Sequence, residues 1–135
     1  MAEYGTMGSA GKDPLPGPVS EGRGRTEVRL VLLPQGRDLL LLITGGEAHV
    51  GAVAVAQPAA DGGPAGEVVI PPHKEGPLAA ECAALVAEAA GCTCAAAAGI
   101  HQDDATAQEI ATITANVRRA ARRLAAALGE RRSGP

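Results

Sequence analysis

Three histidines provide most of the chemistry that this sequence offers. His49 begins a run of small and β-branched residues, whereas His73 and His101 each follow a predicted strand and precede a predicted helix. An imidazole can exchange a proton near neutral pH, form hydrogen bonds or bind a metal. These positions make the three histidines the first candidates for a functional site.

The surroundings of His73 and His101 favour an anionic ligand. If the strand before His73, the following helix and the strand before His101 form a right-handed crossover, both strands end at one edge of the sheet. Two helix N-termini lie at that edge, and their free N–H groups favour anions. Lys74 adds a compact positive charge in a chain with ten Arg and only two Lys. We therefore expect a phosphate or carboxylate site at this edge.

Gly51 and two acidic residues complete the candidate set. Gly51 lies two residues after His49 on the same face of the predicted strand, where it leaves room beside the imidazole. Glu75 and Asp103 follow His73 and His101 by two residues each.

A metal centre is an alternative that the sequence does not favour. His49, His73, His101 and Asp103 are plausible ligands, and three histidines with an open position are typical of catalytic zinc. However, no two histidines have an H-x-H or H-x₃-H spacing.

Nucleophilic catalysis has weak support. The serines fall in the predicted tails, and no Walker loop or G-x-G-x-x-G motif is present. The cysteines lie in apolar runs, which predicts buried, inert and reduced thiols in a cytoplasmic protein. These cysteines are Cys82, Cys92 and Cys94.

The elements that position the candidate residues follow the order β-β-β-β-α-β-α. We expect an α/β (α+β) fold in which an antiparallel meander of three strands and one parallel crossover form a single mixed sheet with two helices. Thr106 and Glu109 form a T-x-x-E capping box before the last helix. The predicted strands are 27–33, 38–44, 47–57, 67–70 and 92–100, and the predicted helices are 78–90 and 106–128.

Composition divides the chain of 135 residues into one domain and two tails. Residues 1–25, rich in Gly, Pro and charge, are predicted to be a disordered tail, residues 26–128 a single domain, and residues 129–135 a disordered basic tail. The aromatic content is 1%, so the core must consist of Leu, Val, Ile and Ala. A core of such small side chains favours a homo-oligomer, and we expect a dimer.

Charge and hydropathy argue against nucleic-acid and membrane partners. Residues 26–117 carry three positive and eleven negative groups, whereas residues 118–135 carry six positive and one negative. An acidic body is unlike a nucleic-acid-binding domain, and the near absence of aromatic residues excludes base stacking. No apolar run approaches the ~20 residues of a membrane span.

Three segments carry a family resemblance that covers about residues 26–128. They are Gly45-Gly46-x-x-His49-Val50-Gly51-Ala52-Val53-Ala54, His73-Lys74-Glu75 and Gly99-Ile100-His101-x-Asp103-Asp104-x-Thr106-x-x-Glu109-Ile110. In this combination the chain resembles the LpdD-like family, small accessory proteins of gallate- and protocatechuate-type decarboxylase systems that are described as prenylated-flavin chaperones. Their fold is similar to that of proteasome assembly chaperones. The chain departs from the expected family pattern at Ala48, where Pro is expected, and at Asp104, where Asn is expected.

The resemblance implies cofactor binding without turnover. It implies a protein that holds prenylated FMN, or FMN, made by a flavin prenyltransferase and delivers it to a UbiD-like decarboxylase. His73 and Lys74 would then lie at the phosphate, and His49 and His101 at the ring or ribityl chain, with Asp103 orienting His101. Two other interpretations stay open: an assembly or interaction subunit without a ligand, and a small metal-dependent enzyme.

Overall fold

A mixed six-stranded sheet with two helices forms the framework of the protein. A computed structural model of the chain describes residues 14–133. The predicted fold class is confirmed. The strands are β1 Val19–Glu21, β2 Val28–Gln35, β3 Asp38–Gly46, β4 Ala52–Ala56, β5 Pro64–Val69 and β6 Cys94–His101, and the helices are α1 Gly76–Ala90 and α2 Ala107–Ser133.

The order of strands across the sheet is β1-β2-β3-β6-β4-β5. β6 is parallel to β3 and antiparallel to β4, so the expected meander is wrong at its third strand. β5 and β6 run in the same direction, as the crossover required, but β4 lies between them. The central place of β6 follows from its composition, because a nearly continuous apolar strand is stable where it has a neighbour on both sides. Local sequence patterns do not reveal which strands become neighbours.

One face of the sheet packs against both helices. Leu30, Leu41 and Ile43 on the central strands are fully buried, as are Val117 and Leu124 on α2. Each such side chain contributes roughly 1.5–3 kcal/mol when it leaves water. β4, β6 and α1 meet this core mainly through alanines, which let the backbones approach closely.

The helix ends follow the local sequence. Pro77 lies in the first turn of α1, and Gly91 ends that helix with a φ of 73°. The capping box before α2 is confirmed: Glu109 N–H donates to Thr106 Oγ1, and Thr106 N–H donates to Glu109 Oε1, both at 3.0 Å. No helix among the described residues combines the length and the apolar character that a membrane span needs.

Both predicted tails contain regular structure where the chain is described. β1 pairs with β2 inside the segment expected to be disordered, and Arg123 anchors it by donating to Glu21 at 2.7 Å. α2 continues beyond Gly129, and Arg132 donates to the carbonyl oxygens of Glu88 and Ala89 at the end of α1. These are contacts between residues far apart in the chain, which composition alone does not indicate. The rest of the two predicted tails, residues 1–13 and 134–135, lies outside the described residues.

Candidate functional site

Three strands end at the edge of the sheet that bears the candidate residues. β3 and β6 end side by side, with Gly46 opposite His101, and β5 runs in the same direction. The segments that follow β5 and β6 therefore reach one edge, as the sequence predicts. There His49, His73 and His101 line a shallow opening of about 360 Å³ together with Glu47 and Ala48.

Two histidines of this opening and a neighbouring glutamate form a compact group, here called the His–Glu cluster: His49, His73 and Glu75. His49 Nε2 lies 3.3 Å from His73 Nδ1, and the ring centroids are 4.5 Å apart. The Glu75 carboxylate lies 3.7 Å from His49 Nε2 and 3.9 Å from His73 Nδ1. All three side chains are partly buried, and Glu75 is the least exposed at 14%. The spacing allows the three groups to share a proton or an ion.

Two glycines make the His–Glu cluster possible. A Cβ at Gly99 would overlap the carbonyl group of His49, so the His49 backbone can cross β6 only because residue 99 has no side chain. A Cβ at Gly51 would lie 3.0 Å from His73 Cγ and 3.2 Å from Glu75 Oε1. Gly51 thus leaves room for an imidazole, but the ring that occupies this room is that of His73 and not that of His49.

Backbone groups fix the orientation of the cluster. His49 Nδ1 donates to the Glu47 carbonyl oxygen at 3.0 Å. Glu75 Oε1 accepts from the N–H of Lys74 at 3.0 Å, and Oε2 accepts from the N–H of Ile100 at 3.1 Å. Glu75 therefore ties the start of α1 to the end of β6.

His101 and Asp103 form a separate, more exposed pair. His101 Nε2 donates to Asp103 Oδ1 at 2.9 Å, which is the contact that the resemblance implies. Arg25 donates to the Asp103 carbonyl oxygen at 2.7 Å and to the Glu109 carboxylate at 2.8 Å. The hydrogen bond from Arg25 lowers the pKa of Glu109 below its ordinary value of 4.5. Arg25 thus links the loop after β6 to the start of α2.

A larger cavity of about 450 Å³ opens on the helix side of the same edge, between the first turns of α1 and the first half of α2. Its volume lies within the range of small-molecule sites. Lys74, His101 and Arg118 contribute positive or titratable groups to its wall. Its aliphatic lining consists of Pro77, Leu78, Ile100, Ala105, Ile110 and Ile113.

The two openings divide the predicted site residues. Lys74 and Glu75 line the larger cavity, His49 and His73 line the smaller opening, and His101 lines both. His73 and Lys74 are adjacent in sequence but face different openings, so the expected pairing of both at one phosphate is not what the geometry favours.

Sequence reasoning missed the helix wall of the larger cavity. Arg118 and Ile110 line it, although Arg118 also makes a two-pronged ion pair with Glu81, with bonds of 2.8 and 3.1 Å. The sequence pattern does not reveal this wall, because Ile110 belongs to the apolar spacing of α2; only the structure shows that its side chain is 55% exposed beside the cavity.

The cysteines take no part in the site. Burial raises the pKa of Cys82 and Cys94 to about 12, so both thiols stay protonated near neutral pH. Burial also raises the pKa of the half-buried Cys92. All three are free thiols; Cys82 and Cys94 are buried as predicted, whereas Cys92 is only partly buried.

Comparison with known proteins places the chain in a family. The model of the prenylated flavin chaperone LpdD-like domain matches residues 22–129, which is most of the chain and includes every candidate residue above. A search of curated proteins found no match. The protein therefore belongs to the LpdD-like prenylated flavin chaperone family.

Proposed function

We propose that the protein is a non-catalytic accessory protein that binds prenylated FMN and passes it to a UbiD-like decarboxylase. The family name supports the cofactor class. The observation that carries the proposal is the larger cavity, which combines an aliphatic lining with positive groups at the edge where three strands end.

The phosphate of the cofactor would lie beside Lys74. This side chain is exposed and lines the cavity next to the N-terminus of α1. Ala105, two residues before α2, and Ile110 near the start of α2 line the same cavity. Two helix N-termini and one ammonium group offer the combination of free N–H groups and positive charge that phosphates bind. His101 would hydrogen-bond to the ribityl chain or ring, held in position by Asp103.

The ring system would pack against aliphatic side chains. Apolar surface faces the cavity from Leu78, Ile100, Ile110 and Ile113. Contact with such side chains removes apolar ring surface from water without any aromatic partner. The cavity remains open to solvent, which suits a protein that must release its cofactor again.

Delivery is tested by transfer between purified proteins. The chain is co-expressed with a flavin prenyltransferase, purified without oxygen and mixed with a UbiD-like apo-decarboxylase. We expect the purified chain to carry a flavin absorbance and the decarboxylase to become active faster than with the same amount of free cofactor. A chain that carries no flavin, or a decarboxylase that gains nothing from it, would contradict the proposal.

We also propose that two copies of the chain pair through the face of the sheet that the helices leave uncovered. A row of aliphatic residues crosses this face over five strands, here called the aliphatic row. Leu42 and Val53 are each 37% exposed, and Val68 is 66% exposed. A self-complementary patch of this kind suits a twofold interface. The aliphatic row consists of Val31, Leu42, Ala97, Val53 and Val68.

The variant Leu42→Glu tests this interface. A carboxylate in the middle of the aliphatic row would be desolvated in a dimer, so we expect the variant to sediment as a monomer. The matched control is Leu85→Glu, which changes a leucine of similar exposure on α1, away from the row. A Leu42→Glu chain with unchanged sedimentation, or a wild-type chain that is already monomeric, would contradict the proposed dimer.

The free thiols are consistent with a reducing compartment, and we place the protein in the cytoplasm with its proposed partners.

A further inference from the structure

We propose that the His–Glu cluster is a binding site for a divalent transition-metal ion, with Zn²⁺ as the best fit. The ligand atoms are His49 Nε2, His73 Nδ1 and one Glu75 carboxylate oxygen, all within 4.8 Å of one another. This site goes beyond the proposed flavin site, because its two histidines line the smaller opening and not the larger cavity, although its third ligand, Glu75, lines the larger cavity. The ligand atoms belong to the chain itself, so the site does not depend on bound flavin.

The distances within the cluster suit a metal ion. Zn²⁺ holds nitrogen and oxygen ligands at about 2.1 Å in a tetrahedron, which separates neighbouring ligand atoms by about 3.4 Å. The two imidazole nitrogens are 3.3 Å apart. His49 Nε2 lies 3.7 Å from Glu75 Oε2, and His73 Nδ1 lies 3.9 Å from the other carboxylate oxygen, Oε1. One carboxylate oxygen lies within 4.8 Å of both nitrogens, and a rotation of the carboxylate towards them would bring all three atoms onto one face of such a tetrahedron.

The hydrogen bonds around His49 direct a lone pair into the cluster. A carbonyl oxygen can only accept, so Nδ1 of His49 carries the proton that it donates to Glu47. In the neutral ring, Nε2 is then unprotonated and faces His73 and Glu75. A histidine that ligates a metal through one nitrogen and donates from the other to a carbonyl oxygen is the usual arrangement in metal sites.

Hydrogen bonds from the backbone hold the Glu75 carboxylate in place, as is usual for a carboxylate that binds a metal. Backbone N–H groups from Lys74 and Ile100 fix its two oxygens, each of which keeps a further lone pair. Without a metal, His73 Nδ1–H can donate to His49 Nε2. With a metal, that proton moves to Nε2 of His73, which frees Nδ1 for the ion.

The chemistry of the ligands selects the class of metal. Two imidazoles and one carboxylate suit borderline ions such as Zn²⁺, Co²⁺ and Fe²⁺ better than Mg²⁺ or Ca²⁺. Three protein ligands leave a fourth position open. It would face the smaller opening, whose wall also includes Ala48 and His101.

The test uses the full chain, freed of purification tag and flavin, with Zn²⁺ and Co²⁺ as probes. We expect one equivalent of Zn²⁺ in a calorimetric titration and, with Co²⁺, the intense visible absorption of a tetrahedral complex. His73→Ala and Glu75→Gln should each weaken binding by about a hundredfold or more. Lys74→Ala and His101→Ala are the matched controls, because each changes a neighbouring polar residue outside the ligand set, and both should retain the wild-type affinity.

A readout on the wild-type chain keeps the test independent of how the variants fold. Addition of Zn²⁺ should shift the imidazole ¹⁵N resonances of His49 and His73 and leave those of His101 in place. The absence of stoichiometric binding would overturn the proposal. So would unchanged affinity in the His73 and Glu75 variants, or a thiolate-to-cobalt band that reveals a cysteine ligand. Because no flavin is present, failure here leaves the flavin proposal intact, and loss of flavin binding by Lys74→Ala leaves the metal proposal intact.

Discussion

Lys74→Glu is expected to weaken the binding of prenylated FMN by about tenfold to a hundredfold. The substitution removes a charge-assisted hydrogen bond to the phosphate, which contributes roughly 1.5–3 kcal/mol, and puts a negative charge in its place. Lys74 is exposed, so the fold does not depend on its side chain. The dissociation constant is measured by titrating the purified chain with the reduced cofactor and following flavin absorbance.

Arg37→Glu provides the matched control for this variant. It makes the same change of charge at the β2–β3 turn, at the opposite edge of the sheet from the candidate site. We expect it to bind the cofactor as the wild-type chain does. Equal weakening by both substitutions would mean that net charge, and not a phosphate contact at Lys74, governs affinity. Wild-type affinity in Lys74→Glu would remove Lys74 from the site.

Gly99→Val is expected to lower the free energy of unfolding by about 3 kcal/mol, because overpacking at a site without free space is among the most destabilising changes. The new Cβ would overlap the His49 carbonyl, so the segment that carries His49 has to move away from β6. The His–Glu cluster should then come apart. Denaturant unfolding measures the first effect, and Zn²⁺ titration measures the second.

Ala95→Val is the control for the glycine variant. Residues 95 and 99 lie on the same strand, and their side-chain positions point to the same face of the sheet. Ala95 already has a Cβ and is only half-buried, so its free energy of unfolding should change by less than about 1 kcal/mol. If Gly99→Val proved as stable as Ala95→Val, the close approach of the His49 backbone to β6 would not exist in solution.

The sequence alone was sufficient to predict most elements, because their signals are local. The capping box of Thr106 and Glu109, and Gly91 at the end of α1, each act within a few residues. The strand order was not predictable in this way. The neighbours of β6 depend on contacts between residues such as Leu42 and Ala97, which are far apart in the chain.

The same distinction between local signals and long-range contacts applies to the candidate site. The convergence of His73 and His101 followed from strand direction, which a crossover unit fixes. The partnership of His49 with His73 and Glu75 did not follow, because it requires β4 to begin beside the end of β6. The sequence has no pair of histidines at a spacing typical of a local metal site. The proposed site instead combines His49 with His73 and Glu75, which form an H-x-E pair.

Amide chemical shifts test most directly whether prenylated FMN binds in the larger cavity beside Lys74. The ¹⁵N-labelled chain is titrated with the reduced cofactor, and every backbone resonance is followed. We expect the shifts to concentrate at residues 74–78, 100–106 and 110–114, which border the cavity. Shifts that concentrate instead at the opposite edge, around residues 36–38 and 91–93, or no shifts at saturating cofactor, would contradict it.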